Sequence, residues 1–176
     1  VIQSTLSATY KDLSIIAFGN LDVGTCKFNE IDFTLDFTKP IGKDLAFSAG
    51  YTSINFPNTE IPKSQEVYIG ISSNKGLNPA LRLYYDFEQG KGTFLEISVN
   101  PVFNFGQNDI SASCIIGYND HYYRKGSGCS HLELKLSTTP IAINKNVTMA
   151  PLLSFSKSLS RDFQDKIYGG LSFNFK

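Results

Sequence analysis

The sequence predicts an all-β chain built from long antiparallel strands, and three observations support this class. Apolar and polar residues alternate with a period of two along most of the chain, as they do in strands with two different faces. Phe (14), Tyr (9) and Gly (14) are abundant, whereas Trp is absent and Met occurs once, a composition that favours strands. No segment keeps the 3.6-residue period of an amphipathic helix, so we expect no helix.

The alternation divides the chain into eleven strand-like segments. In the clearest of them, four apolar residues alternate with four polar ones, and the last segment repeats this pattern. The predicted strands are Ile2–Tyr10, Leu13–Val23, Glu30–Phe37, Leu45–Phe56, Gln65–Ser73, Pro79–Glu88, Thr93–Phe103, Ile110–Tyr118, His131–Ile143, Val147–Ser156 and Ile167–Phe175.

The connections between these segments fall into a shorter and a longer set. The shorter set is rich in Gly, Asn, Asp and Pro, as tight turns are, and comprises Lys11–Asp12, Lys39–Asp44, Asn74–Asn78, Phe105–Asp109 and Asn144–Asn146. The other set contains the longest connections, and comprises Gly24–Asn29, Pro57–Ser64, Gln89–Gly92, Asn119–Ser130 and Ser158–Asp165. Short turns on one side and long loops on the other are typical of outer-membrane barrels.

Strand length and face composition favour a transmembrane up-and-down β-barrel over a soluble β-core. The segments are about 9–13 residues long, close to the length that crosses a bilayer at a tilt. Their polar faces carry Ser, Thr and Gly mixed with charges, rather than Lys and Glu throughout. Aromatic residues near the strand ends suit interfacial girdles: Tyr10, Phe37, Tyr85, Phe87, Phe103, Tyr118, Phe155 and Phe175. A soluble β-core rich in Phe is the alternative.

Eleven antiparallel strands cannot close a barrel, because the first and last would run in the same direction. Bacterial barrels have an even number of strands. We therefore expect twelve strands in one barrel domain over residues 1–176, with the first strand missing from this chain. A ten-strand barrel with Ile2–Tyr10 outside it is the fallback.

Charged residues on the polar face are the candidate pore-lining residues. Acids outnumber bases there, which would favour cations in a narrow water-filled tube. The predicted lining is Asp22, Glu30, Asp32, Asp36, Glu66, Arg82, Asp86, Glu96, His131, Glu133 and Lys135, with Glu88 a further acid on this face. Alternatively, Glu66, Arg82 and Glu96 form an ion ladder that fills the interior.

Other activities have weaker support in the sequence. His121 follows Asp120 in a loop, but no nucleophile motif accompanies the pair, so we expect no enzyme. The three cysteines fit no metal spacing, and Cys26 and Cys129 could form a loop disulfide or stay free. Lys plus Arg and Asp plus Glu both number 16, which gives no reason to expect a nucleic-acid partner. No apolar run is long enough for a transmembrane helix, and no cofactor is implied.

The C-terminal residues Tyr168-Gly169-Gly170-Leu171-Ser172-Phe173-Asn174-Phe175 resemble the assembly signal of outer-membrane proteins, with Tyr168, Gly170, Phe173 and Phe175 at its positions and Lys176 as a departure. The stretches Ala17-Phe18-Gly19-Asn20-Leu21-Asp22, Tyr84-Tyr85-Asp86-Phe87-Glu88-Gln89-Gly90-Lys91-Gly92-Thr93-Phe94-Leu95-Glu96 and Gly117-Tyr118-Asn119-Asp120 resemble those of small porin-like barrels of the TorF type. The resemblance implies an outer-membrane barrel and assigns no activity.

These observations predict a narrow, weakly cation-favouring passive pore in the bacterial outer membrane. The alternative is a barrel that does not conduct and anchors a partner or an assembly. The expected partners are outer-membrane lipid, the barrel-assembly machinery, small solutes or ions, and a protein bound through the outer loops.

Overall fold

Every regular element that the structure describes is a β-strand, which confirms the all-β class. The structure is a computed structural model, and it describes residues 1–105, 108–122, 125–160 and 164–175. These ranges contain no helix, and so none long and apolar enough to cross a membrane. The strands are β1 (Ile2–Tyr10), β2 (Leu13–Asp22), β3 (Lys27–Ile41), β4 (Leu45–Asn55), β5 (Ser64–Ser73), β6 (Pro79–Asp86), β7 (Gly92–Val99), β8 (Val102–Phe105), β9 (Asn108–Asp120), β10 (Ser127–Thr138), β11 (Ile141–Asn144), β12 (Val147–Ser158) and β13 (Lys166–Phe175).

Two of the predicted segments are interrupted, and a proline lies at each break. The predicted strand Thr93–Phe103 consists of β7 and β8, which are separated at Asn100–Pro101. Likewise, His131–Ile143 consists of β10 and β11, separated at Thr139–Pro140. Proline has no backbone N–H and cannot donate a hydrogen bond to a neighbouring strand. The eleven segments therefore become thirteen elements.

The residue before each proline keeps the interrupted ladder connected. Thr139 donates its backbone N–H to the carbonyl oxygen of Asp109 at 2.8 Å, and its hydroxyl oxygen accepts from Asp109 N at 3.0 Å. Asn100 donates its backbone N–H to Leu77 O at 2.7 Å. The amide side chains of Asn100 and Asn78 each donate to the other residue's carbonyl oxygen, at 3.2 and 3.0 Å. Side chains thus replace ladder hydrogen bonds that proline cannot make.

The strands form one antiparallel sheet in the order β1-β2-β3-β4-β5-β6-β7-β9-β10-β12. β8 pairs with β9, and both β11 and β13 pair with β12. Because β13 occupies one edge of β12 from Val147 to Ser156, β11 and β10 share the other edge. Among the described residues the sheet is not closed: β1 pairs only with β2, and β13 only with β12. The predicted barrel is therefore not confirmed.

Contacts divide the chain into two units. The first comprises Val1–Ser72, Arg82–Leu95 and Asn119–Ser127, and it contains β1 to β4 complete. The second comprises Ser73–Leu81, Glu96–Tyr118 and Gly128–Lys176, and it contains β11 to β13.

In the first unit the apolar face of the sheet is exposed and the polar face is covered. Ile15 and Leu35 lie opposite each other on β2 and β3, and their exposed fractions are 61% and 46%. On the other face, Glu66 and Tyr68 of β5 are 7% and 8% exposed. Water-soluble proteins normally bury their large apolar side chains and expose their charges, so the arrangement is inverted.

The second unit has the same inverted arrangement. Leu136 and Leu153 lie opposite each other on β10 and β12, and both are about half exposed. On the polar face, Ser154 lies opposite Lys135 and is 1% exposed. The aromatic residues predicted for the girdles are exposed as well, namely Tyr10, Phe37, Tyr85, Phe87, Phe103, Tyr118 and Phe155. The side chain of Phe175 lies outside the described residues.

Candidate functional site on the polar face

A tyrosine that passes over a glycine connects three strands on the polar face of the first unit. Asp36 on β3 lies opposite Gly50 on β4. Tyr68 on β5 lies over Gly50, and its hydroxyl donates a hydrogen bond to Asp36 Oδ1. A Cβ atom at Gly50 would lie 2.4 Å from the Tyr68 ring, so only glycine leaves room for the ring. Thr38 donates to Asp36 Oδ2 at 2.9 Å. We call Asp36, Gly50 and Tyr68 the Tyr68 bridge.

A row of aromatic rings continues from the Tyr68 bridge. The ring centroids of Tyr68, Tyr84, Phe94 and Tyr122 follow one another at 5.5, 6.1 and 5.7 Å. The Arg82 guanidinium lies 5.2 Å from the Tyr68 centroid and donates to the Tyr84 hydroxyl at 3.2 Å. These four rings, hereafter the aromatic row, include two of the few buried large side chains, Tyr68 and Phe94. Tyr122, which follows β9, packs its ring on Phe94.

Four of the predicted acids on the polar face of the first unit interact with one another by charge. Glu30, Asp32, Glu66 and Asp86, hereafter the acidic cluster, lie on β3, β5 and β6. Their electrostatic interactions connect them: Glu66 interacts with Asp32 and Asp86, and Asp32 with Glu30. Glu66 and Asp86 are 7% and 6% exposed. The structure thus brings together carboxylates that are up to 56 residues apart in the sequence (Glu30 and Asp86).

Hydrogen bonds satisfy only part of this cluster. Asp86 accepts from the Ser64 hydroxyl at 2.5 Å and from the backbone N–H groups of Glu88 and Gln89, both at 2.9 Å. Glu66 accepts a hydrogen bond from Thr52. In contrast, Glu66 Oε2 and Asp32 Oδ1 are buried and have no hydrogen-bond partner within the described part of the chain.

The second unit contains a different acid site, in which the carboxylate is fully paired. Glu133 Oε1 accepts hydrogen bonds from Ser154 Oγ at 2.8 Å and from Tyr168 Oη at 2.7 Å. Glu133 Oε2 lies 3.1 Å from Lys135 Nζ. Tyr168 on β13 reaches across β12 to a carboxylate on β10, as Tyr68 reaches across β4. We call Glu133, Ser154 and Tyr168 the Tyr168 bridge.

The remaining predicted lining residues lie on the same face but outside these groups. Asp22 lies opposite Lys27, because a bulge after Asn20 shifts the pairing of β2 with β3. Lys27 is a base that the sequence count omitted, since the bulge interrupts the simple alternation. His131 Nδ1 is 2.9 Å from Ser130 Oγ, and Glu96 is half-buried on β7.

The residues of the predicted assembly signal all lie on β13. Phe173 is 49% exposed on the apolar face, opposite Met149. Gly170 pairs with Leu152 on the polar face, and the backbone of Phe175 pairs with Val147. Lys176 and the Phe175 side chain lie outside the described residues. Tyr168 has a structural contact in addition, namely its hydrogen bond to Glu133.

The Asp120–His121 pair forms, and a serine hydroxyl contacts the acid of the pair. His121 Nδ1 is 2.7 Å from Asp120 Oδ1, and Ser127 Oγ donates to the same Asp120 oxygen. In nucleophilic catalysis the hydroxyl contacts the base itself, whereas here Ser127 contacts the acid. Gly92 packs against this segment so closely that a Cβ would lie 2.3 Å from Asp120 O.

The three cysteines do not pair with one another. Cys26, Cys114 and Cys129 are free thiols, so the structure contains no Cys26–Cys129 disulfide. In the ranges described, no group of three or more His, Cys, Asp or Glu side chains could hold a metal ion by itself.

Comparison with known proteins adds no relative. A scan against protein-family models finds no family that matches this chain, and a search of the curated proteins finds no similar protein. The resemblance to porin-like barrels of the TorF type therefore stays a prediction.

Proposed function

We propose that this chain is a transmembrane β-barrel of the bacterial outer membrane and acts as a narrow, weakly cation-favouring passive pore for small solutes or ions. The inverted burial of the two sheet faces is the observation that carries the proposal. Exposed Leu, Ile and Phe side chains suit contact with lipid, and a polar face suits a lumen. A soluble β-core would bury the apolar face instead.

Closure of the sheet is part of this proposal. The eleven segments alternate in direction, so β1 and β13 run the same way, and both have a free edge. An odd number of further strands is needed to join these edges by antiparallel pairing. We propose one further strand, which gives a twelve-stranded barrel, with a ten-stranded barrel that leaves β1 outside as the fallback. The barrel-assembly machinery would recognise the residues of β13.

The charge of the polar face supports the preference for cations. Asp32, Asp36, Glu66 and Asp86 lie on this face in the first unit. Acidic side chains around a narrow aqueous path attract cations and repel anions, because the low-dielectric wall focuses their field.

Single-channel conductance across a planar bilayer with a salt gradient tests this function. We expect discrete conductance steps with a cation-selective reversal potential. Reversing the charge on the lining (Asp32→Lys with Asp36→Lys) should shift the reversal potential toward anions, whereas Glu60→Lys in an exposed connection should leave it unchanged. An unchanged reversal potential in the double variant would show that these two residues do not line the pore.

A barrel that does not conduct and anchors a partner or an assembly is the second candidate. The aromatic row favours it, since four rings and Arg82 occupy the polar face where an open lumen needs space. Two results together would support this candidate over the pore. The folded protein would show no conductance in the bilayer, and other subunits would co-purify with it.

A further inference from the structure

The acidic cluster contains two carboxylate oxygens that lack partners. Glu66 is more than nine-tenths buried, and its Oε2 has no hydrogen-bond donor in the described chain. Asp32 is part-buried, and its Oδ1 atom is inaccessible and has no hydrogen-bond partner in the described chain. Thr52, which donates a hydrogen bond to Glu66, lies opposite Thr34, two residues from Asp32 on the same face of β3. The two carboxylates therefore lie on the same part of the polar face. Burying a carboxylate is costly unless a donor or a cation accompanies it.

The neighbours of this pair do not supply the missing charge. Asp86, the other deeply buried acid, is satisfied by Ser64 and two backbone N–H groups and adds negative charge. Glu30 adds more. Within the part of the chain that the structure describes, no Lys or Arg forms an ion pair with Asp32 or Glu66. Among the described residues, the neighbours of Asp32 and Glu66 that interact with them by charge are therefore acids.

We propose that Asp32 and Glu66 bind a divalent cation of the Mg²⁺ class, which retains most of its water shell. Two carboxylates balance two positive charges. Mg²⁺ is commonly held by one or two carboxylates and several waters. The site goes beyond the proposed pore, since binding does not require conduction.

Hydroxyl neighbours suit such a hydrated ion. Thr34 Oγ1 and Thr52 Oγ1 are 3.1 Å apart on β3 and β4, next to Glu66. Hydroxyl oxygens can accept hydrogen bonds from metal-bound water. Asp36, the next acid along β3, is not expected to be a ligand, because its carboxylate already accepts hydrogen bonds from Tyr68 and Thr38.

Manganese(II) provides the test, since it replaces Mg²⁺ and its free form is detected by electron paramagnetic resonance. The full chain, refolded in detergent, is titrated with Mn²⁺ and then with competing Mg²⁺. We expect one Mn²⁺ per chain, displaced by Mg²⁺, and at least a tenfold loss of affinity in Asp32→Asn and in Glu66→Gln. The matched control is Asp36→Asn, four residues along the same face of β3, which should bind Mn²⁺ like the wild type.

Two outcomes would overturn the proposal. One is Mn²⁺ binding that is absent, or that Asp36→Asn weakens as much as Asp32→Asn does. The other is an infrared band of a protonated carboxyl group that persists at saturating Mn²⁺ and disappears in Glu66→Gln, because a proton would then neutralise the pair. Both readouts are independent of conductance, so a silent bilayer would not affect them.

Discussion

A missing side chain at Gly50 decides how the polar face of the first unit packs. The Tyr68 ring occupies the space where a Cβ would lie and reaches Asp36 beyond it. We expect Gly50→Ala to destabilise the folded chain by about 1–3 kcal/mol, as overpacking of a filled site does. Urea unfolding in detergent micelles measures this.

Gly169→Ala is the matched control for that experiment. Gly169 is also a strand residue, but an added Cβ would be 3.4 Å from its nearest neighbour, an ordinary contact. If both variants lose the same stability, the loss reflects strand glycines in general and not the Tyr68 bridge.

The Tyr168 hydroxyl should contribute to stability in the second unit. Tyr168→Phe removes its hydrogen bond to Glu133 and keeps the ring. We expect a loss of about 1 kcal/mol, because Ser154 and Lys135 still pair with the carboxylate. Unfolding of the purified protein, without assembly factors, measures this loss separately from any effect on assembly. An unchanged unfolding midpoint would contradict it.

At the scale of elements, the connection between β12 and β13 depends on an ionised aspartate. Asp165 accepts hydrogen bonds from Lys157 Nζ at 2.6 Å and from Ser158 N at 2.9 Å. The Lys157 contact, followed by the Ser158 N–H, lowers the pKa of Asp165 below its ordinary 3.8. A lowered pKa means that the ionised form favours the folded connection. This contribution is present above pH 3.8 and is lost as the pH falls through the lower folded value.

The Ser158 amide reports this titration directly. In ¹⁵N-labelled protein, its chemical shift should change with pH with a midpoint below 3.8. Asp165→Asn should abolish the change. A midpoint at or above the ordinary value would show that the hydrogen bonds do not favour the ionised form.

Single tryptophans can test the inverted faces at the scale of the whole molecule, because the chain contains none. Ile71 and Ser72 are neighbours on β5 with side chains on opposite faces, and both are exposed. In vesicles with brominated lipids, we expect strong quenching of Ile71→Trp and weak quenching of Ser72→Trp. Equal quenching of the pair would contradict a lipid-facing apolar side.

The alternation predicted the strands well because one face of each strand is apolar and the other is polar. Ile31 to Phe37 keep this pattern without a break, and β3 forms there. The alternation does not reveal the breaks at Pro101 and Pro140, because each proline lies within an otherwise alternating segment. The residues that take over the ladder there, such as Thr139, depend on partners that local sequence does not reveal.

The sequence predicts which face of the sheet the candidate site residues occupy, but not which side chains contact one another. The alternation of apolar and polar residues within each strand is enough to place Asp32, Asp36 and Glu66 on the polar face. Which of them is paired depends on the register between strands, because Tyr68 reaches Asp36 from 32 residues away. No periodicity in the sequence distinguishes the satisfied Asp36 from Asp32, whose Oδ1 has no hydrogen-bond partner.

The two tyrosine bridges also determine how the sheet should respond to mechanical force. An ordinary strand can be peeled from its neighbour one ladder hydrogen bond at a time. Tyr168 ties β13 to β10, two strands away, and Tyr68 ties β5 to β3 in the same manner. Pulling β13 away must therefore also break a contact with β10, so a chain drawn out by its C-terminal end should resist more strongly when the Tyr168 contact is reached than ladder bonds alone would predict.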